Sequence, residues 1–338
     1  MDAGRAASPA ALMRLVLAFQ VSQALHVVAT LGIADRLAAG PRTADALAAA
    51  TGAHPRALAR LLRAVASVGV LTEDGAGAFE LTALGQYLRA DHPQSVHGDA
   101  VFQGHPALWG TWQHLRHSVT TGEPAFRHLY GVDSWTYFAQ HPDVGAVFDE
   151  AMTSRSLQQR DAVVAAYDFS GARTVVDVAG GHGVLLAAVL AAHPGARGVL
   201  FDQPHVVAGA AEALRAAGVG ERCRVVGGDF FEAVPEGGDV YLLKLIVHDW
   251  DDASATAILR TCRRAMGPDA RLLLVERVLA PGNAPDPNRF SDLTMLVMLG
   301  GQERTAAEYA ALYEAAGLRL TRVLPTAAGV SLIEGQPV

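Results

Sequence analysis

The chain has 338 residues, 51% hydrophobic and 18% charged, with a formal net charge of −7 and a pI near 6.0; that is enough for about two domains and excludes a disordered tail protein. The acidic balance argues against a globally basic nucleic-acid binder, and no apolar run approaches the roughly 18–20 residues of a membrane span. Asp2 and Arg14 make the first apolar stretch a poor signal peptide, and two cysteines, Cys223 and Cys262, form no disulfide framework, so a cytoplasmic protein is expected.

Leu12–Leu37 carries apolar side chains on nearly every face, Leu15, Val16, Phe19, Leu25 and Val28 among them. A helical region of that kind must be buried, and in a small leading domain a partner subunit is the expected cover. Ala44–Ala50 makes a short helix behind Thr43 as N-cap, broken by Gly52. Pro55 opens a second helix to Val68, with Gly69 as its C-cap. A strand at Val70–Glu73, a turn at Asp74–Gly77 and a strand at Ala78–Leu81 follow, and Thr82 starts another helix. Helix, turn, helix and two-stranded ribbon make a winged helix, with Arg56, Arg60 and Arg63 on one face of its second helix. Residues 1–100 hold eight arginines against eight Asp and Glu, so this domain is neutral and no nucleic-acid partner is expected.

Residues 105–168 read as helical and rich in aromatics. From Thr174 onward strands alternate with helices: strands at 174–179, 197–202, 222–228, 240–247 and 271–278, helices at Val184–Ala192, Val206–Ala217 and Ala253–Met266. Near-continuous apolar strands between helices indicate an α/β parallel sheet covered on both faces. The last two strands, 318–326 and 329–335, make an antiparallel hairpin at its edge.

The first of these strands runs into Asp177-Val-Ala-Gly180-Gly181-His182-Gly183, whose glycines allow a tight turn and close ligand approach. A dinucleotide fingerprint needs a third glycine where Leu186 stands, which disfavours a nicotinamide dehydrogenase. Asp202 ends the second strand, where a carboxylate can accept both hydroxyls of a ribose. Gly228-Asp229-Phe230 ends the third, an acid and an aromatic suited to a purine. Each acid alone would serve as a helix cap; on successive strand ends they describe an adenosine site. The fourth strand contains Lys244, the one lysine against 26 arginines, and leads into His248-Asp249-Trp250-Asp251-Asp252. Read from the residues alone, that cluster is a surface salt cluster, a metal site of His248, Asp249 and Asp251, or a general base. No H-x-x-x-H or similar spacing accompanies it, so no metal is expected.

Taken in order, DVAGGHG, FDQPHVV, GDFF, LIVHDWDD, LLLVERVLAP and GGQERT resemble the class I S-adenosylmethionine-dependent O-methyltransferases. Within them the resemblance is to the plant caffeate/flavonoid type and its actinobacterial relatives in aromatic natural-product biosynthesis, and it covers nearly the whole chain. It implies a Rossmann-like methyltransferase sheet with an antiparallel C-terminal hairpin behind an N-terminal, mostly helical winged-helix dimerisation domain. Residues 1–100 would serve dimerisation, 101–170 would form a helical linker and acceptor-pocket region, and 171–338 would bind S-adenosylmethionine and catalyse. The implied general base is His248, flanked by Glu276 and Glu303; imidazole at pKa ~6.5 is a usable base for a phenol at ~10.

For the cofactor the resemblance implies Gly180 on the methionine side, Asp202 on ribose, Asp229 and Phe230 on adenine, Lys244 near the sulfonium-bearing tail and Trp250 against the adenine. Met152, Asp292, Met295 and Met298 match positions that line the acceptor pocket, although Met295 and Met298, three apart on a helix, read equally as core packing. Where the family usually carries a third glycine this chain has Ala179. The implied activity is methyl transfer to a hydroxyl, expected phenolic, of a small-molecule aromatic or polyketide-type secondary metabolite by a homodimer without membrane or nucleic-acid partners. Relatives that keep the cofactor but catalyse hydroxylation, decarboxylation or pericyclic steps are one alternative, and a ligand-sensing winged-helix regulator is another.

Overall fold

The structure, a computed structural model, describes residues 7–338. Two compact units divide them: the chain up to Gly110 together with His141–Arg155, and Thr111–Gln140 together with Ser156–Val338. In the first unit Thr43 Oγ1 accepts from Ala46 N (3.3 Å) to start the helix Ala44–Thr51, and Gly52 closes it at φ +74°. Pro55 stands in the first turn of the helix Pro55–Ala66, which buries Leu58, Leu62 and Val65. The ribbon has one strand more than expected: β1 (Arg42–Thr43), β2 (Leu71–Glu73) and β3 (Ala78–Leu81) pair antiparallel in the order β1-β3-β2. Thr82 starts no α-helix. Its hydroxyl donates to Gly69 O (2.7 Å) and accepts from Gly85 N (3.0 Å), a turn that leads into the 3-10 helix Gly85–Leu88.

The leading helices correct one further expectation. Pro9–Val16 and Phe19–Thr30 join through Leu17 and Ala18 into a 22-residue stretch, Pro9–Thr30, that is long and apolar enough by composition to cross a bilayer. A count of unbroken apolar residues misses it, because Arg14, Gln20, Ser22, Gln23 and His26 interrupt the run while only Arg14 adds formal charge. One copy of the chain leaves it largely uncovered, in keeping with a partner subunit as the expected cover. Pro9–Val16 buries no residue, Phe19–Thr30 only Val28 and Ala29, and Leu12 and Leu15 are each 64% exposed.

In the second unit the strands are β4 (Thr174–Val178), β5 (Arg197–Asp202), β6 (Cys223–Gly227), β7 (Val240–Lys244), β8 (Arg271–Glu276), β9 (Leu318–Pro325) and β10 (Ser331–Pro337). They form one sheet in the order β6-β5-β4-β7-β8-β10-β9. The first five are parallel, and β10 runs antiparallel to both β8 and β9. Side chains alternate across the pleat, so Leu272 and Leu274 enter the core on one face while Leu273 and Val275 enter the core on the other. Leu186, the residue that spoils the dinucleotide fingerprint, is fully buried against Gly198, where an added Cβ would lie 3.0 Å from it. The helix expected over Val206–Ala217 is two short ones, Pro204–Val207 and Ala210–Ala216, on either side of Gly209. The fourth strand also ends early: Leu245 takes φ +54°, and the chain turns into the 3-10 helix Val247–Asp249.

Candidate active site

In an open parallel sheet, ligands bind beyond the carboxyl ends of the strands where the strand order reverses; here that place lies between β4 and β7. The loop after β4 is held in left-handed backbone. Gly181 and Gly183 take φ +58° and +78°, and Ala179 takes φ +56°, at a cost on the order of 1 kcal/mol for a residue with a Cβ. Ala179 thus holds, despite its Cβ, a backbone conformation that glycine adopts freely. A Cβ on Gly180 would lie 2.6 Å from the Asp177 carboxylate, whereas one on Gly181 would meet nothing within 4 Å. Gly181 N donates to Asp202 Oδ2 (2.8 Å) and Gln203 N to Asp202 Oδ1 (2.7 Å), so the acid ending β5 is tied to the glycine loop. Burial nevertheless pushes its pKa upward. Burial also lifts Asp177 to about 7, with Lys244 opposing, and Asp177 Oδ2 has no donor.

Beyond β6, Asp229 Oδ1 accepts from Phe231 N (2.8 Å). Phe230 and Phe231 stand edge-on to Trp250 at 6.0 and 4.8 Å between ring centroids, and Trp250 stacks on Trp135 at 6.4 Å. Open glycine backbone, carboxylates and an aromatic wall on consecutive strand ends are what an adenosine with a cationic amino-acid tail requires. These residues fit the implied cofactor.

His248 is buried, 3% exposed, not part of a surface cluster. Its Nδ1 donates to Glu303 Oε1 (3.0 Å) and lies 3.6 Å from Glu276 Oε2; its Nε2 lies 3.3 Å from Asp249 Oδ1. Glu276 ends β8, and its Oε1 accepts from Ile246 N (3.0 Å) and Val247 N (2.9 Å), while its buried Oε2 has no donor. Burial opposes charge on His248, but Glu276, Asp249 and Glu303 together outweigh it and raise the pKa to about 9. Burial pushes Glu276 upward. Glu303 goes the other way: burial works against its charge, yet His248, Arg277 and Ser291 hold it below the usual carboxylate range. Two neighbouring carboxylates with pKa values pushed apart, on one imidazole, can hold and move a proton. One donor atom from each of His248, Glu276 and Glu303 also lies within 4.8 Å of the others, a spacing that metal ions use. Asp251, grouped with His248 in the sequence reading of a metal site, instead caps the helix Asp252–Ala265 through Ser254 N (2.8 Å).

The sequence singled out GGQERT and its Glu303, but not the way Gly301, Gln302 and Arg304 hold this loop. A Cβ on Gly301 would run into the His248 carbonyl, and Gln302 N donates to that same carbonyl (2.9 Å). Arg304, fully buried, donates to Val247 O (3.1 Å), to Trp250 O (2.8 Å) and to Asp252 Oδ1 (3.0 and 2.8 Å). Gly301–Arg304 therefore grips both sides of His248. The signal was Gly301, a demand for close backbone approach; arginine usually signals surface, so Arg304 gave none.

Three of the four acceptor-side candidates share one helix. Asp292 Oδ1 accepts from Glu303 N (2.9 Å), and Met295 and Met298 are buried on the same helix, Asn288–Met298. Met152 belongs to the first unit, on the helix Pro142–Ala166. His114 and His117 sit with His128, the last two rings stacked at 4.0 Å.

A family model for an O-methyltransferase domain matches residues 112–319, and one for an O-methyltransferase dimerisation domain matches residues 13–91. A phenazine O-methyltransferase from Lysobacter antibioticus is 47% identical over 97% of this chain and 96% of its own length. A mitomycin biosynthesis 6-O-methyltransferase from Streptomyces lavendulae is 45% identical over 98% and 95%. The solved structure of an O-methyltransferase from neocarzinostatin biosynthesis, in complex with S-adenosylmethionine and 2-hydroxy-5-methyl naphthoic acid, superposes with a TM-score of 0.78 at 37% identity, covering 94% of this chain and 96% of that one.

Proposed function

Because this chain belongs to the S-adenosylmethionine-dependent O-methyltransferase family, we propose that it methylates a phenolic hydroxyl of a small aromatic or polyketide-type secondary metabolite, with His248 as general base. The observation that carries this reading is the buried His248–Glu303–Glu276 set beyond the carboxyl ends of β7 and β8, next to the point where the strand order reverses.

Bound S-adenosylmethionine supplies a methyl group on a sulfonium, electrophilic without further activation. What remains for the protein is to hold the acceptor oxygen in line and remove its proton. His248 Nε2 takes that proton, Glu303 on Nδ1 fixes the ring, and the carboxylates stabilise the imidazolium that forms. A neutral imidazole of pKa about 9 is a closer match to a phenol of ~10 than a free one. Gly180, Asp202, Asp229, Phe230 and Trp250 hold the cofactor, with Lys244 beside its tail, where a compact ammonium serves better than a guanidinium fork. Asp292, Met295 and Met298 shape the acceptor side.

The dimerisation domain supports a homodimer, and the exposed Leu12 and Leu15 supply apolar surface for it. The reading assigns residues 1–100 to dimerisation, 101–170 to linker and acceptor pocket, and 171–338 to cofactor binding and catalysis. It describes a cytoplasmic enzyme without a membrane partner and without a nucleic-acid partner, the last supported by the neutral charge of the first hundred residues. His248→Ala is expected to lower turnover by about 10²–10⁴-fold with cofactor affinity, measured by calorimetry, little changed. Full activity in that variant overturns the base assignment. Mass spectrometry with methyl-labelled cofactor tests the reaction type, since unlabelled product would remove methyl transfer.

A further inference from the structure

We infer that Ser291 and Arg277 are positioning residues: converging on one oxygen of Glu303, they fix that carboxylate on His248 Nδ1 and so leave Nε2 as the basic nitrogen. This rests on the reading of His248 as general base.

Glu303 Oε1 receives three donors: His248 Nδ1 (3.0 Å), Ser291 Oγ (2.7 Å) and Arg277 Nη1 (3.4 Å). Its Oε2 is buried with no donor. The restraint on the carboxylate is therefore concentrated on one oxygen, and it comes from separate elements. Arg277 follows the last residue of β8, Ser291 lies on the helix Asn288–Met298, and His248 lies in the turn beyond β7. That helix holds the glutamate twice, because Asp292, next to Ser291, accepts from Glu303 N. The consequence is an asymmetry between the two glutamates at the ring. Glu276 is met by backbone N–H groups, Glu303 by a hydroxyl and a cation, and a carboxylate paired with a cation stays ionised. An ionised Glu303 keeps the Nδ1 proton on the ring. The other charged or titratable groups around the pair are Asp249 on the same turn, Arg304 beside Glu303, and Tyr309 of the helix Ala306–Ala315, whose hydroxyl approaches Arg277 O (3.5 Å).

The test uses the full-length enzyme and five variants: Ser291→Ala, Ser291→Thr, Arg277→Gln, Arg277→Lys and His248→Ala. Long-range ¹H–¹⁵N NMR of the histidine rings, with S-adenosylhomocysteine added, reports the His248 tautomer and its titration; the signal is assigned by its loss in His248→Ala. Initial rates with S-adenosylmethionine and hydroxynaphthoate acceptors accompany it. The wild-type neutral ring is expected to carry its proton on Nδ1. Ser291→Ala is expected to mix the tautomers and lower kcat about tenfold with KM for the cofactor unchanged, and Ser291→Thr to restore both. Arg277→Gln is expected to move the His248 midpoint upward by about one pH unit, and Arg277→Lys to restore it. Wild-type tautomer and midpoint in both Ser291→Ala and Arg277→Gln, with His248→Ala inactive, overturn the positioning role alone. Wild-type turnover in His248→Ala overturns the base reading and this inference with it. Equal defects and equal losses of melting temperature in all four Ser291 and Arg277 variants overturn positioning in favour of plain structural support.

Discussion

His248 titrates in a direction its residue type alone does not foretell. Burial by itself would depress an imidazole, yet three carboxylates raise it to about 9. The neutral, basic form is therefore scarce at neutral pH and grows about tenfold per unit as pH rises toward the midpoint. The acid limb of kcat/KM for the acceptor is accordingly expected between 6.5 and about 9, checked by a pH–rate profile; a limb below 6.5 would mean that the carboxylates do not act on the ring. Stability runs the opposite way. A raised folded-state pKa contributes stability that is fully present below the unfolded value of 6.5 and is lost as pH rises through about 9. The histidine itself was legible, standing just past an apolar strand. Its two flanking glutamates were named only through the family resemblance, and Ser291 and Arg277 carry no mark that distinguishes them from surface residues.

At the scale of elements, the turn beyond β7 is shaped less by its own sequence than by Gly301–Arg304 packed on it. Arg304 is fully buried while its partner Asp252 is 68% exposed, so the ion pair is the weaker half of the arrangement. The two backbone carbonyls are the stronger half. Arg304→Met is expected to cost about 3–5 kcal/mol by stranding Val247 O and Trp250 O. Asp252→Ala should cost under about 1 kcal/mol. Urea unfolding of the two variants measures the difference, and equal costs would return the role to the ion pair. The strands of the main sheet were readable because each is a short apolar run between glycine-marked turns. Misreadings fell where one residue overrode the pattern: Leu245 in left-handed backbone ended β7 early, and Gly209 divided one expected helix in two. Thr82 was read as a helix start because a threonine hydroxyl caps; here it also donates back to Gly69 O.

For the molecule as a whole, the leading helices set the largest question of surface. Their all-round apolar character was plain in the sequence, but the conclusion that they are buried holds only for more than one copy of the chain. Leu12→Glu combined with Leu15→Glu is expected to shift the protein from dimer to monomer by light scattering at equal concentration; an unchanged dimer would place the interface elsewhere. Charge has its own molecular pattern. All but one of the 27 Lys and Arg side chains are guanidinium groups, and the exception, Lys244, closes β7 at the ligand edge of the sheet. Amine-directed chemistry therefore finds a single ε-amine in the sequence. A dye, a cross-linker or reductive methylation aimed at lysine reports on one strand end, and a single peptide in a mass spectrum records whether that edge was covered.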